Sequence, residues 1–267
     1  MSLHLPEQLD QPVLSLFSLA GKIAIVTGGS RGIGLQVVTA LAEAGADVAF
    51  IYHTSTNAEA IAAEIAAKTG RRIQVYKSDV ADRVRIGDTI REIVETFGDG
   101  RLDIMVANAG VCQNVKSLEY TEDTWDYINK VNYDGAMWTA ITAGNIFKRL
   151  GRGNLILTVS VSAGLVNVPQ TQAAYNASKA GVLLLAKSLA VEWAEFARVN
   201  CVSPGYVHTE MITKQPQELM QKWLSMIPAG RTCQPRELKG IYTFLASDAS
   251  SYMTGSNVII DGGFTLP

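Results

Sequence analysis

No run of apolar residues in this chain approaches the ~18 that a membrane span requires. The longest candidate, AGVLLLAKSLAV, is interrupted by Lys187. Cysteine is scarce. Only Cys112, Cys201 and Cys233 occur, and their odd number and spacing fit neither a zinc site nor a disulfide framework. They read as buried thiols in a reducing compartment. His4, His53 and His208 are too scattered to form a metal-ligand pattern, so no metal site is expected. A charge excess is missing as well. The formal charge of −2 argues against nucleic acid or an anionic membrane as the main partner. The N-terminus lacks the basic stretch and apolar core of a secretion signal. There is no repeat, linker or low-complexity segment. These absences lead to the expectation of a soluble, cytoplasmic protein.

What is present is a chain of 267 residues, 48% apolar and 18% charged. That composition supports a sizeable core and makes disorder a poor fit. Residues 1–18 read as an N-terminal extension packed on a single domain at 19–267.

Short β-branched runs alternate with helical patterns. KIAIVTG, DVAFIYH, RIQVYKSDV, LDIMVANAG, NLILTVSVSAG, RVNCVSPG and NVIIDGG read as strands. Between them, helices are expected at 32–44, stopped by Gly45, and at 57–69, closed by Gly70. RVRIGDTIREIVETFG also has helical spacing. One long helix is expected from TEDTWDYINKVNYDG through AMWTAITAGNIFKRL, and another over QAAYNASKAGVLLLAKSLAVEWAEF. Strands separated by helix-length crossovers imply an α/β fold: a doubly wound parallel sheet of seven strands with helices on both faces. Ligands on such sheets bind beyond the carboxyl ends of the strands.

At the first of those ends lies VTGGSRGIG, with Gly28, Gly32 and Gly34 in the spacing G-x-x-x-G-x-G. A strand before it and a helix after it make this a dinucleotide turn. Its bare backbone lets a pyrophosphate approach, and N–H groups at the helix start bind it. No Gly-Lys-Ser/Thr follows, which excludes a P-loop. The end of the second strand reads Tyr52, His53, Thr54, Ser55 and has no carboxylate for a ribose 2′-hydroxyl. Arg31 sits inside the turn. A guanidinium, imidazole and hydroxyls suit a 2′-phosphate, which a carboxylate would repel. NADP(H) is therefore expected over NAD(H).

YNASK places Tyr175 and Lys179 at i and i+4, on one helix face. A phenol with a reference pKa of about 10 releases its proton poorly at neutral pH. A nearby ammonium favours the phenolate. The pair suits proton chemistry.

TGGSRGIG, ANAG (107–110), Asn132, a serine-bearing fifth strand, YNASK and SPGYVHT occur in the order seen in the short-chain dehydrogenase/reductases. The chain resembles that family over residues 20–267. Within it, LFSLAGK, NVPQTQAAYNASKAG, LAVEWAEFARVNCVSPGYVHT and DGGFTLP look like the fungal NADP-dependent mannitol dehydrogenase and sorbose reductase group. The resemblance implies roles. Tyr175 would be the general acid in ketone reduction and the base in alcohol oxidation. Lys179 would lower its pKa and hold the nicotinamide ribose. Asn132 would anchor a water in the proton relay. A serine would hydrogen-bond the substrate oxygen. Gly28, Ser30, Arg31, Gly32, Ile33 and Gly34 would form the cofactor turn. Tyr52, His53 and Thr54 would lie at the 2′-phosphate, and Asp79 and Val80 along the adenine. Asn108 would support the central strand near the cofactor. Pro204, Gly205, Val207 and Thr209 would hold the nicotinamide end.

Two serines compete. Counting back thirteen from Tyr175 selects Ser162; counting along the strand from Gly153 selects Ser160, with two extra residues in the following loop. Ser160 is preferred, because the polyol reductases share that longer loop. Two departures from the family pattern stand out. ANAG replaces the usual NNAG, and Tyr206 replaces a smaller aliphatic residue, where it would narrow the substrate entrance.

The expected activity is NADPH-dependent carbonyl reduction, reversible as secondary-alcohol oxidation. The substrate would be a ketose, polyol or other small ketone. Alternatives are a biosynthetic ketoreductase for a larger natural product, a non-catalytic NADP(H)-binding module, and a repurposed fold with non-redox chemistry. Gln113, Asn114, Asn167 and His208 suit hydroxyl groups. The Met- and Trp-bearing stretch at 206–228 reads as a mobile lid or a plain amphipathic helix. The helix carrying YNASK is apolar almost all round and needs burial on several sides. The family resemblance implies a homotetramer built on the two long helices.

Overall fold

A computed structural model describes residues 10–266. Seven parallel strands form one sheet in the order β3-β2-β1-β4-β5-β6-β7. They are β1 Ile23–Thr27, β2 Asp47–Tyr52, β3 Ile73–Lys77, β4 Ile104–Ala107, β5 Asn154–Thr158, β6 Arg198–Pro204 and β7 Asn257–Ile260. The order reverses between β1 and β4, and this opens a crevice at their carboxyl ends.

The central strands β1, β4 and β5 are buried along their whole length because both faces are covered, while the edge strands β3 and β7 are partly exposed. In β1, Ile23 and Ile25 enter one core cluster, while Ala24 and Val26 enter the other. The first cluster is completed by α3 (Arg83–Thr96), α5 (Gly135–Leu150) and α6 (Ala173–Glu192), through residues such as Ile90, Phe147 and Val182. The second is completed by α1 (Gly32–Glu43) and α2 (Ala58–Thr69), through Val37, Leu41 and Ile65. A helix that the sequence reading passed over, Lys239–Ala246, covers the rest of that face with Tyr242 and Leu245.

Two sequence expectations need correcting. The long helix is unbroken but not α-helical throughout. It runs as α4 (Glu122–Asn129), a π-helical turn at Lys130–Asp134, and then α5. Asn132 lies in the widened turn, a feature often found at functional positions. The fifth strand stops at Thr158. The Ser160 hydroxyl accepts the Ser162 N–H at 3.1 Å and starts a 3₁₀ turn at Val161–Ala163. Such local side-chain bonds compete with strand pairing.

Of the N-terminal extension, residues 1–9 and with them His4 lie outside the described residues. Val13–Phe17 forms a 3₁₀ turn, and the Phe17 ring stands 6.0 Å from that of Phe244. Beyond β6, the stretch expected as a lid contains α7 (Glu210–Thr213) and α8 (Gln217–Met226). The buried Trp223 anchors α8 in a small cluster with Tyr206 and Ile227.

Candidate active site

The glycines of the first turn do two kinds of work. Gly28 and Gly32 hold left-handed backbone, with φ of +68° and +55°, which glycine adopts without a steric penalty. Gly34 is required by packing. A Cβ there would strike the Gly28 carbonyl oxygen and stand 2.5 Å from Asn108 Nδ2. Part of the glycine density therefore closes the turn on itself. The rest leaves main chain bare at the start of α1, where no side chain caps the helix. Uncapped N–H groups beside a glycine turn fit an anionic diphosphate.

A cleft of about 1000 Å³ runs from this turn across the ends of β1, β4, β5 and β6. Its wall brings together Gly28, Ser30, Arg31, Gly32, Ile33 and Gly34 with Tyr52, His53, Thr54, Asp79, Val80 and Asn108. Farther along stand Ser160, Tyr175 and Lys179, then Pro204, Gly205, Val207 and Thr209. Asn132 is absent from the lining and is 1% exposed. It sits behind the wall, accepting the Val111 N–H at 2.8 Å and donating to the Val111 carbonyl at 2.9 Å. A third bond reaches Ser178 Oγ at 3.1 Å.

At the end of the cleft beside β2, the Arg31 guanidinium reaches across to the Glu210 carboxylate at 3.3 Å. Glu210 is also held by Lys214 at 3.1 Å, and these cations draw its carboxyl below the ordinary value. His53 Nε2 lies 3.8 Å from Asp79 Oδ2. No carboxylate occupies the end of β2 itself.

At the other end, Lys179 Nζ donates to the Thr158 carbonyl at 2.9 Å and stands 5.8 Å from the Tyr175 ring centre. Burial pushes the ammonium down to about 8. Burial pushes the Tyr175 phenol up, and the neighbouring Ser160 hydroxyl works in the opposite direction. A Cβ at Gly110 would come within 3.5 Å of Lys179 Nζ and 3.3 Å of Asn132 Oδ1, so bare backbone keeps room beside the ammonium.

The two serines have different partners. Ser160 lines the cleft beside the Tyr175 phenol. Ser160 Oγ donates to Ser162 Oγ at 3.0 Å, and Ser162 passes the chain on to Asn167 Oδ1 at 2.5 Å. The Gln172 amide donates to Asn167 and Ser162 at 3.2 and 3.3 Å. Cys112, on the loop after β4, also lines the cleft, and burial pushes its thiol up to about 11. All three cysteines are free.

Sequence reasoning missed Thr158 and Tyr242. The Tyr242 hydroxyl and Thr158 Oγ1 share a hydrogen bond at 2.6 Å, and Thr158 Oγ1 donates on to Asn108 Oδ1 at 3.2 Å. Asn108 Nδ2 then reaches the Thr27 carbonyl at 3.0 Å. A buried tyrosine thus braces the strand end that carries Lys179's acceptor. The polar-tipped residue at a core position of IYTFLA was the available signal. Among the described residues no group of His, Cys, Asp or Glu is placed to hold a metal.

A doubly wound sheet with a glycine turn, a buried Tyr/Lys pair and a partnered serine defines a nucleotide-dependent oxidoreductase. A family model described as enoyl-(acyl carrier protein) reductase matches residues 28–265. The chain belongs to the short-chain dehydrogenase/reductase family. It is 46% identical to a sorbose reductase of Schizosaccharomyces pombe, covering 94% of this chain and 98% of the relative. It is 44% identical to a probable NADP-dependent mannitol dehydrogenase of Yarrowia lipolytica, covering 97% and 93%. The crystal structure of an NADPH-dependent 3-quinuclidinone reductase from Rhodotorula rubra superposes with a TM-score of 0.94 at 38% identity. That match covers 99% of this chain and 98% of the other.

Proposed function

We propose that the protein is an NADPH-dependent carbonyl reductase, reversible as a secondary-alcohol dehydrogenase, acting on a ketose, polyol or similar small ketone. The carrying observation is the Tyr175 phenol, lining one cleft with Ser160 and set one helical turn from the buried Lys179. Bound NADPH supplies the hydride. The chain supplies the rest. Ser160 holds the substrate oxygen, and Tyr175 gives it a proton during reduction and takes one back during oxidation. Lys179 gives one of its three ammonium protons to Thr158, and the others suit ribose hydroxyls. Asn132 acts from behind the wall, fixing the Val111 main chain where the cleft passes the nicotinamide end.

Arg31 takes a 2′-phosphate, exchanging its carboxylate partner Glu210 for it. His53 and Thr54 line the same end, with Asp79 and Val80 beside the adenine. Pro204, Gly205, Val207 and Thr209 bound the nicotinamide end. Residues 19–267 work as one reductase domain, with 1–18 as an extension. Assembly is as a homotetramer, supported by Leu184 and Val191 on α6, which are 67% and 80% exposed in the isolated chain. Free thiols at all three cysteines suit a reducing, cytoplasmic setting. No described helix is long and apolar enough to cross a membrane.

The test is an NADPH-oxidation screen over fructose, sorbose, xylulose, diketones and aryl ketones. Turnover of one or more ketoses is expected. Turnover confined to large aryl ketones would favour a biosynthetic ketoreductase, and none at all would contradict the reading.

A further inference from the structure

The Trp223 indole on α8 donates to Gln170 Oε1 at 2.9 Å. An indole N–H can only donate, so the atom of Gln170 that faces it must be the amide oxygen. The other end of that amide, Nε2, therefore points at Tyr206 and donates to its hydroxyl at 2.9 Å. Asn167 is oriented in the same sense. Its Oδ1 receives Ser162 Oγ and Gln172 Nε2, so its Nδ2 donates to the same Tyr206 hydroxyl at 3.3 Å. Two N–H donors converge on the Tyr206 oxygen and fill its acceptor capacity. The hydroxyl's own proton has no acceptor among the described residues.

The ring cannot swing to find one. It stacks on Trp223 at 4.6 Å between ring centres and meets Phe264 edge-on at 5.1 Å. Tyr206, Asn167 and Gln170 all line the cleft that holds Ser160 and Tyr175. A buried donor with a fixed direction and no partner is expensive to keep unless something bonds it.

The geometry points to Tyr206 as a specificity-determining residue whose hydroxyl donates a hydrogen bond to an oxygen on the substrate's carbon chain, selecting polyhydroxy ketones over unsubstituted ones. Trp223 and Gln170 are positioning residues that set the direction of that donor from the far side. The inference rests on the reading of this cleft as a ketone reductase site. It adds the substrate class and the group that reads it.

The experiment compares fructose with 2-hexanone, which has the same carbon count and ketone position but no hydroxyls. The ratio of kcat/KM values is measured for the wild type, Tyr206→Phe and Trp223→Phe, with thermal unfolding as the check on folding. Tyr206→Phe removes only the hydroxyl and is expected to lower the fructose-to-hexanone ratio roughly 10-fold, mainly through the KM for fructose. Trp223→Phe keeps the aromatic stack but frees Gln170 to turn its oxygen toward Tyr206. The ratio should fall in the same direction although Tyr206 is intact. A ratio unmoved in Tyr206→Phe, with both substrates losing equally, would overturn the inference while leaving the reductase reading standing. A Trp223→Phe ratio equal to that of the wild type would overturn the claim that the indole sets the donor's direction. A wild type that reduces neither of these nor any other ketone of the screen would defeat the reductase reading and this inference together.

Discussion

Lys179 Nζ donates to the Thr158 carbonyl oxygen at 2.9 Å from a position only 4% exposed. Burial holds this ammonium at about 8, against 10.5 for a free lysine. Below pH 8 the folded and unfolded chains both carry the proton, and the folded chain bears the full penalty of burying it, about 3 kcal/mol. Between pH 8 and 10.5 the unfolded chain still holds a proton that the folded chain has lost, so this group makes stability rise with pH. Lys179→Met removes the penalty but leaves the Thr158 carbonyl without that donor, a loss of about 1 kcal/mol. The variant should lose turnover yet unfold at a higher temperature than the wild type at pH 7. That gap should close as pH rises from 8 to 10.5. A gap constant across this window would contradict the buried charge.

Ser160 and Ser162 can be separated kinetically. Ser160 neighbours the phenol, whereas Ser162 bonds Ser160 and Asn167. Ser160→Ala is expected to reduce kcat/KM roughly 100-fold, and Ser162→Ala by much less. Steady-state rates of NADPH oxidation with the best ketone check the order. The reverse ranking would move the substrate contact to Ser162.

Gly34→Ala should fail at the turn itself. The added Cβ would collide with the Gly28 carbonyl, and backbone there has little room to yield. A loss of about 1–3 kcal/mol of stability is expected, with NADPH binding abolished. Thermal unfolding and calorimetry read the two effects.

Arg31→Ala should change cofactor choice and leave the fold alone. Its pair with Glu210 is largely solvent-exposed and contributes little to stability. A lost charge-assisted bond to a 2′-phosphate corresponds to a rise in the NADPH Kd of roughly 10- to 100-fold. The NADH Kd should move far less. Equal changes for both nucleotides would remove Arg31 from the 2′-phosphate site.

Local chemistry explains which parts of this were legible in the sequence. The seven strands could be read as short runs between helical patterns, the central ones most clearly because burial on both faces makes them apolar, as in IAIVT and NLILT. The glycine turn and the Tyr175/Lys179 spacing are also local patterns. What escaped depends on contacts between distant residues. Asn132, in the π turn, is bonded to Val111, 21 residues away. The Thr158–Tyr242 bond spans 84 residues, and the Trp223–Gln170 bond spans 53. Tyr206 was visible as a departure from the family, but its two converging amides were not. The end of β5 was misread because VSVS continues the β-branched alternation, while the Ser160 hydroxyl turns the chain.

Tyr175→Phe tests the central claim most directly. It removes one hydroxyl from a side chain that lines the cleft beside Lys179. The variant should bind NADPH by calorimetry with a Kd close to that of the wild type, while ketone reduction falls by roughly 100- to 10,000-fold. Turnover near the wild-type rate, with NADPH still bound, would contradict the assignment of the phenol as the proton donor.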